Sequence, residues 1–368
     1  METIHRFAAL TGSNVRKITS RIIGLTDIIK LIISALEGLV LIGIQNKLKS
    51  YFSSLEEKMQ FSGSVLVADS NEVLLNDGFG MANYELLVKN SRSTVFRIAS
   101  LTKQFTATAI LKLVEQGKIS LDDPVSLFIE KYRHGSKINI HQLLSNTSGI
   151  PSYTEFSNFQ QDMLMNRSVD QILDSVLQKE LLFEPGTQYD YSNSGYLLLG
   201  KIIEEVSGQS YEEFLTEHIF IPHNMNNTGL DSNKLIIKNR ASGYYLSENK
   251  LQNCTYFDMS NAHSAGGIYS TAEDLYLWNS ALFSCRVMNE GLFRTMITPI
   301  KNNYGYGIVR FSKGDIEIVM HDGNIPGYKT WMQRIIPNNI TVILLSNIEN
   351  GESLSEISGE IEKIMGLN

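Results

Sequence analysis

The residues of this chain with the clearest chemical potential are Ser100 and Lys103, in the stretch Arg97-Ile98-Ala99-Ser100-Leu101-Thr102-Lys103-Gln104-Phe105. They lie three apart at the start of a helical pattern, so their side chains share a face. A serine hydroxyl is a poor nucleophile until a base takes its proton. A lysine ammonium is no base at neutral pH, but burial on an apolar helix and nearby positive charge both lower its pKa. The positive end of the helix dipole adds to that shift and favours the oxyanion formed when a serine attacks a carbonyl. Ser-x-x-Lys in this setting can be a nucleophile with its activator. Taken alone, the pair also fits a capping serine and a solvated lysine. A second copy, Ser247-Glu248-Asn249-Lys250, sits in a polar stretch that reads as a turn and carries no catalytic expectation.

Two more groups stand out. Tyr191-Ser192-Asn193 is the one Tyr-x-Asn of the chain, and His321-Asp322-Gly323 the one His-x-Gly. Both fall in loops or at strand edges, where functional groups concentrate. Each has a plain alternative: a half-buried phenol for Tyr191, a strand-end histidine with a satisfied hydrogen bond for His321. His141, His218 and His263 read as structural, and Gly149-Ile150-Pro151 as loop shape.

These groups need elements to hold them. Thr106 to Gly117 is rich in Ala, Ile and Leu and closes on a glycine, the pattern of a buried helix running on from Ser100. Ser64–Ala68 and Glu72–Leu75 read as two strands around a tight turn. Helices are expected over Val169 to Glu180, Gly195 to Val206, Tyr211 to Phe220 and Ala272 to Leu282. Strands return at Asp315–Met320, Lys329–Ile336 and Ile340–Leu345, before a last amphipathic helix from about Glu352 to Met365. Strands at both ends of the chain and helices between them predict an α+β fold. One antiparallel sheet would be built from both chain ends (about 55–125 and 285–368), with a mostly helical lobe inserted (about 126–284).

Composition narrows the classes of function. With 368 residues, 43% hydrophobic and 19% charged, the chain can bury a large core. A net charge of −7 without a basic stripe argues against nucleic acid as a partner. Cys254 and Cys285 lack zinc-type spacing, and a pairing between them has no support in sequence. There is no Gly-rich phosphate loop and no His-Glu-x-x-His.

Residues 1–54 differ from the remainder. Arg16, Lys17 and Arg21 precede an apolar run, Ile22 to Ile44, interrupted by Asp27, Lys30 and Glu37. Each charge at a bilayer centre costs roughly 2.5–3.5 kcal/mol, against about 0.3–0.6 returned per Leu or Ile. Three expectations remain: a membrane anchor, with a cell-envelope location; an interfacial amphipathic helix; or a helix packed on the body or on another subunit.

The order Ser-x-x-Lys, Tyr-x-Asn, His-x-Gly resembles the ordered triple of the penicillin-recognising serine hydrolases. It is most similar to the branch of class C β-lactamases, DD-peptidases of that type and their esterase and amidase relatives. The resemblance covers about residues 55–368 and includes Phe61-Ser62-Gly63-Ser64-Val65-Leu66-Val67, His141 to Pro151, Gly266-Gly267-Ile268-Tyr269-Ser270-Thr271 and Leu344-Leu345-Ser346-Asn347. It implies the β-lactamase/transpeptidase-like fold and acyl transfer without metal or organic cofactor. The substrate would be a β-lactam, a D-amino-acid peptide or an ester, the alternative being a catalytically weak penicillin- or peptidoglycan-binding or membrane-tethered scaffold protein; oligomeric state is left open. It also implies roles. Ser100 would be the nucleophile and Lys103 its activator. Tyr191, with a depressed pKa, would carry the proton to the leaving group and then activate water. Asn193 would bind substrate and fix Lys103. The backbone N–H groups of Ser100 and Asn324 would form the oxyanion hole, and Gly323 would leave room for substrate along the strand edge. His321 stands where penicillin-directed members commonly carry Lys, with Asp322 in place of Thr. That change weakens recognition of a substrate carboxylate and suits a neutral ester, or an amide with its carboxylate absent or held elsewhere.

Overall fold

The computed structural model describes residues 36, 38–70, 72–248 and 250–367. Most of the apolar run 22–44 therefore lies outside the described residues. Its last part belongs to a helix over 38–57, here α1, which runs through residue 54 without a break. Leu48, Phe52 and Leu55 recur on one stripe of α1 and are buried, whereas Leu36, Leu39, Val40 and Ile42 are exposed. Among the described residues no helix is long and apolar enough to cross a membrane.

Six strands form the sheet that α1 covers: β1 (Gly63–Ala68), β2 (Val73–Phe79), β3 (Val309–Lys313), β4 (Ile316–Ile325), β5 (Tyr328–Ile335) and β6 (Ile340–Ser346). Their spatial order is β3-β4-β5-β6-β1-β2. Every neighbouring pair is antiparallel, so the two chain ends meet where β1 pairs with β6. The expected α+β architecture is borne out, and the period of two shows why it holds. Along β1 and β6, Val65, Val67, Val342 and Leu344 point to one face, where α1 and the terminal helix α5 (Leu354–Ile364) pack. Leu66, Ala68, Ile343 and Leu345 point to the other, towards the helical part of the chain. A strand buried on both faces reads as an unbroken apolar run, which is what these two are.

On that second face lie α2 (Thr102–Glu115), α3 (Asn193–Ser207) and α4 (Ala272–Phe283). Residues 102–111 of α2 are buried without exception. Its polar side chains are satisfied inside the core: Thr106 Oγ1 meets the Ser264 carbonyl at 2.7 Å and Gln104 Oε1 accepts from Trp278 Nε1 at 3.1 Å.

Several boundaries moved. The helix expected over Tyr211–Phe220 is α-helical to Leu215 and then widens to a π-turn over Thr216–Phe220. β3 and a helix over Glu290–Ile297 had no counterpart in the expectations. The strand expected to stop at Met320 runs on to Ile325 and carries the His-Asp-Gly triplet within it. The second Ser-x-x-Lys closes a two-stranded hairpin in which Ser247 pairs with Lys250. Cys254 and Cys285 are free thiols.

Candidate active site

Ser100 sits in a tight 3-10 turn, Ala99–Leu101, that feeds directly into α2. Ala99 has φ +48°, a left-handed conformation that costs an alanine about 1–2 kcal/mol. The turn is wedged against β4 and β5. Thr330 Oγ1 donates to the Ile98 carbonyl at 3.0 Å. A Cβ on Gly323 would stand 2.6 Å from that same carbonyl and 3.0 Å from the Ala99 Cβ. The glycine therefore makes room for the turn that carries Ser100, and it also lines the cavity beside that residue.

Lys103, the second residue of α2 and one turn on from Ser100, is fully buried. Its Nζ lies 2.6 Å from the Ala265 carbonyl, 2.8 Å from Asn193 Oδ1 and 3.2 Å from Ser100 Oγ. Burial pushes its pKa well below the ordinary lysine value, partly opposed by the Asp322 carboxylate.

Tyr191 lies on a loop clamped by Asn146, and Asn193 opens α3 directly after it. The Asn146 carbonyl accepts from the Asp190 N–H at 3.0 Å, and its Oδ1 from the Ser192 N–H at 3.1 Å. Ser192 then caps α3 through the Gly195 N–H. The Tyr191 phenol shares a cavity wall with Ser100, and its ring centroid is 4.7 Å from Lys103 Nζ. Burial raises the phenol well above its usual pKa. The depressed pKa expected for Tyr191 is thus reversed: with Lys103 desolvated, no cation beside the phenol outweighs the cost of burying its anion. Asn193 Nδ2 points away from Lys103, to Thr154 Oγ1 at 3.1 Å and Ser152 Oγ at 3.4 Å.

His321 is buried, and both ring nitrogens are engaged. Nδ1 is 2.6 Å from the Asp322 carbonyl, so it carries the proton, and Nε2 accepts from the Tyr304 hydroxyl at 3.1 Å. Burial, with the Lys103 charge second, pushes the imidazole pKa down to about 4, so it is neutral at pH 7. Tyr304 had no sequence signal; a Tyr in an Asn-Tyr-Gly-Tyr-Gly stretch reads as a turn. Ser152 and Thr154 were hidden just beyond the loop at Gly149-Ile150-Pro151.

β3 pairs with β4 only as far as Met320, so among the described residues the edge of β4 from His321 to Ile325 has no strand beside it on that side. Two cavities flank Ser100 there and share Ser100, Asn193 and Asn324 as walls. One, about 420 Å³, holds Tyr191, Tyr189, Tyr304, His321 and Asp322. The other, about 390 Å³, is walled largely by Tyr153, Phe159, Met163, Phe257 and Ile325. Thus Ser100, Lys103, Tyr191, Asn193, His321, Gly323 and Asn324 converge on one place. His141, bonded to Tyr306, His218, against Phe214, and His263, against Tyr211, line neither cavity. Among the described residues no cluster of metal-ligating side chains is present.

A family model for β-lactamase matches residues 52–360. The chain belongs to the β-lactamase family, within the penicillin-recognising serine hydrolases. It is 32% identical to penicillin-binding protein 4* of Bacillus subtilis over 83% of this chain and 73% of that one. Among solved structures, it superposes on a penicillin-binding protein from Bacillus halodurans with TM-score 0.75 and 28% identity, covering 85% of this chain and 98% of that one. An octameric penicillin-binding protein homologue from Pyrococcus abyssi gives TM-score 0.78 and 29% identity, over 88% and 78% of the two chains.

Proposed function

We propose that this serine hydrolase cleaves an amide or ester through an acyl-Ser100 intermediate, on substrates whose leaving group carries no carboxylate. The observation that carries the mechanism is the set of three partners around Lys103 Nζ. A neutral amine has two N–H bonds and one lone pair. The Ala265 and Asn193 carbonyl oxygens take the two hydrogens at 2.6 and 2.8 Å, which leaves the lone pair for the Ser100 hydroxyl at 3.2 Å. Ser100 gives its proton to Nζ as Oγ bonds the substrate carbonyl carbon. The oxyanion is received by the N–H groups of Ser100 and Asn324. When the C–N or C–O bond breaks, the neutral Tyr191 phenol protonates the leaving atom, and the Lys103 ammonium restores the phenol. In deacylation, water gives its proton to Tyr191 as the phenol gives its own to Lys103. The hydroxide adds to the ester carbonyl, and Ser100 departs with the proton from Lys103.

The leaving group falls in the cavity that holds Tyr191. Among the described residues no Lys or Arg lines it, and Asp322 does. A carboxylate there would be repelled, which favours amides and esters with neutral leaving groups over β-lactams as substrates. The kinship with penicillin-binding proteins supports penicillin as an acylating probe.

The test is intact-protein mass spectrometry after p-nitrophenyl acetate and, separately, a fluorescent penicillin. The expected result is ester turnover through an acetyl adduct absent from Ser100→Ala, with little penicillin adduct. Efficient cephalosporin hydrolysis would overturn the inference from Asp322. No adduct and no turnover would transfer the function to binding or scaffolding.

A further inference from the structure

A third cavity, of about 600 Å³, lies next to the one of about 390 Å³ and shares Thr255 and Phe257 with it as walls. Among the described residues, the charged side chains that line it are Arg97 and Arg240 alone. Backbone pairing holds both in place: Arg97 faces Tyr269 in a short antiparallel ladder, and Arg240 bridges Val95 in parallel. Asp231, its side chain fully buried, joins them. Its Oδ2 accepts from Arg97 Nε at 2.7 Å and its Oδ1 from Arg240 Nη1 at 2.9 Å. Each guanidinium gives one nitrogen to the same carboxylate. Among the described residues, Nη1 and Nη2 of Arg97, and Nε and Nη2 of Arg240, donate to no protein acceptor. Two cations thus share one anion, and one positive charge is left over at the cavity. Glu349 lines the neighbouring cavity, accepts from the Gly327 N–H and makes no ion pair with either arginine. Burial holds the Cys254 thiol above its usual pKa, so this wall residue brings no negative charge at pH 7.

The lip of this cavity repeats the same two properties. Residues 232–240, Ser-Asn-Lys-Leu-Ile-Ile-Lys-Asn-Arg, carry three cations and no acid in a chain of net charge −7. Within that lip Ile236 is 97% exposed and Leu235 46%. The Tyr328 ring centroid lies 5.7 Å from Arg97 Cζ, and its hydroxyl is tied to the Ala241 carbonyl at 2.5 Å. Guanidinium N–H groups match the planar oxygens of a carboxylate, and exposed apolar side chains beside them gain from covering an apolar body. The geometry points to this cavity as a binding site for a small carboxylate carried on an apolar body. The free N–H groups of Arg97 and Arg240 take the carboxylate, and Leu235 and Ile236 cover the body. A bound anion balances the surplus charge, which a neutral amide of the same shape does not. Ser100 does not line the cavity, so the assignment goes beyond the acyl-Ser100 reading and does not rest on it.

The experiment is isothermal titration calorimetry of the full chain at neutral pH with phenylacetate and, as its neutral counterpart, phenylacetamide. Wild type, Arg240→Gln, Ile236→Glu and Ser100→Ala are compared. Wild type should bind phenylacetate about 10-fold or more tightly than phenylacetamide, and the preference should shrink as salt is added. Arg240→Gln should weaken phenylacetate by about 10-fold and leave phenylacetamide nearly unchanged. Ile236→Glu sets a negative charge at the mouth from an exposed position that the fold does not use. It should weaken phenylacetate more than phenylacetamide, and it decides the question if Arg240→Gln does not fold. Ser100→Ala should bind both probes as wild type does. Inhibition kinetics on p-nitrophenyl acetate then separate two sources of the carboxylate. Competition by phenylacetate that is lost in Arg240→Gln supports a site that reaches the substrate; binding without inhibition supports a separate ligand. Equal affinity for the two probes in wild type, or a preference for phenylacetate that survives both substitutions, overturns the assignment. Calorimetry needs no turnover, so a failure of the acyl-Ser100 reading would leave these results as they are.

Discussion

The chain writes Ser-x-x-Lys twice, and the two copies differ in everything except their letters. Ser247 and Lys250 face each other across an exposed hairpin turn, and Lys250 projects into water. Ser100 and Lys103 lie one helical turn apart at the head of a helix whose first ten residues are all buried. There the amine meets two carbonyl oxygens and one hydroxyl, and no water is needed to satisfy it. The contrast teaches that the pattern has no chemistry of its own. In the proposed mechanism, burial makes Lys103 a base, and the carbonyls of Ala265 and Asn193 aim its lone pair.

The sharpest way to break this comparison is to remove each serine. Ser100→Ala should lower ester turnover by at least about 10⁴-fold. Ser247→Ala should leave it unchanged; steady-state kinetics on p-nitrophenyl acetate reads both. Next in size is Tyr191→Phe, which removes the proton donor beside Ser100. A loss of about 10²–10⁴-fold in kcat is expected, greatest for substrates with poor leaving groups such as anilides. Gly323→Ala tests the wedge behind the nucleophile. Its Cβ would press on the Ile98 carbonyl, so chemical denaturation should show a loss of about 1–3 kcal/mol, with activity falling as the Ser100 turn shifts.

The last prediction concerns pH. His321 is neutral in the folded protein, with its pKa near 4, and takes up a proton more readily when unfolded, near 6.5. Between those values the unfolded state binds more protons, so stability falls as pH drops from about 6.5 towards about 4. His321→Gln should flatten that part of the wild-type curve of unfolding free energy against pH. An identical slope in the variant would place the titration elsewhere.

Much of this was legible in the residues. The apolar runs at 64–68 and 340–345 read as buried strands, the mixed run at 329–336 as a third strand beside them, and the Ala- and Leu-rich stretch after Ser100 as a buried helix. What escaped was set by tertiary contact. The end of β4 is His-Asp-Gly-Asn, residues of low strand propensity held extended by pairing with β5. β3 mixes Arg, Ser and Lys with its apolar residues and gave no clean alternation. Tyr304 reaches His321 across 17 residues, and Thr154 reaches Asn193 across 39, distances over which spacing carries no signal. The titration of Tyr191 was misjudged for the same reason. Its sign depends on how deeply its neighbours are buried, and no local pattern records that.

The account stands or falls on the protonation state of one amine. The most direct measurement is an NMR titration of the full chain with lysine side chains labelled at Cε, the Lys103 signal being assigned by its absence from Lys103→Arg. The account predicts that Lys103 is neutral at pH 7 and titrates well below the ordinary lysine range. A Lys103 signal that stays charged through pH 7 and titrates near about 10.4 would contradict it.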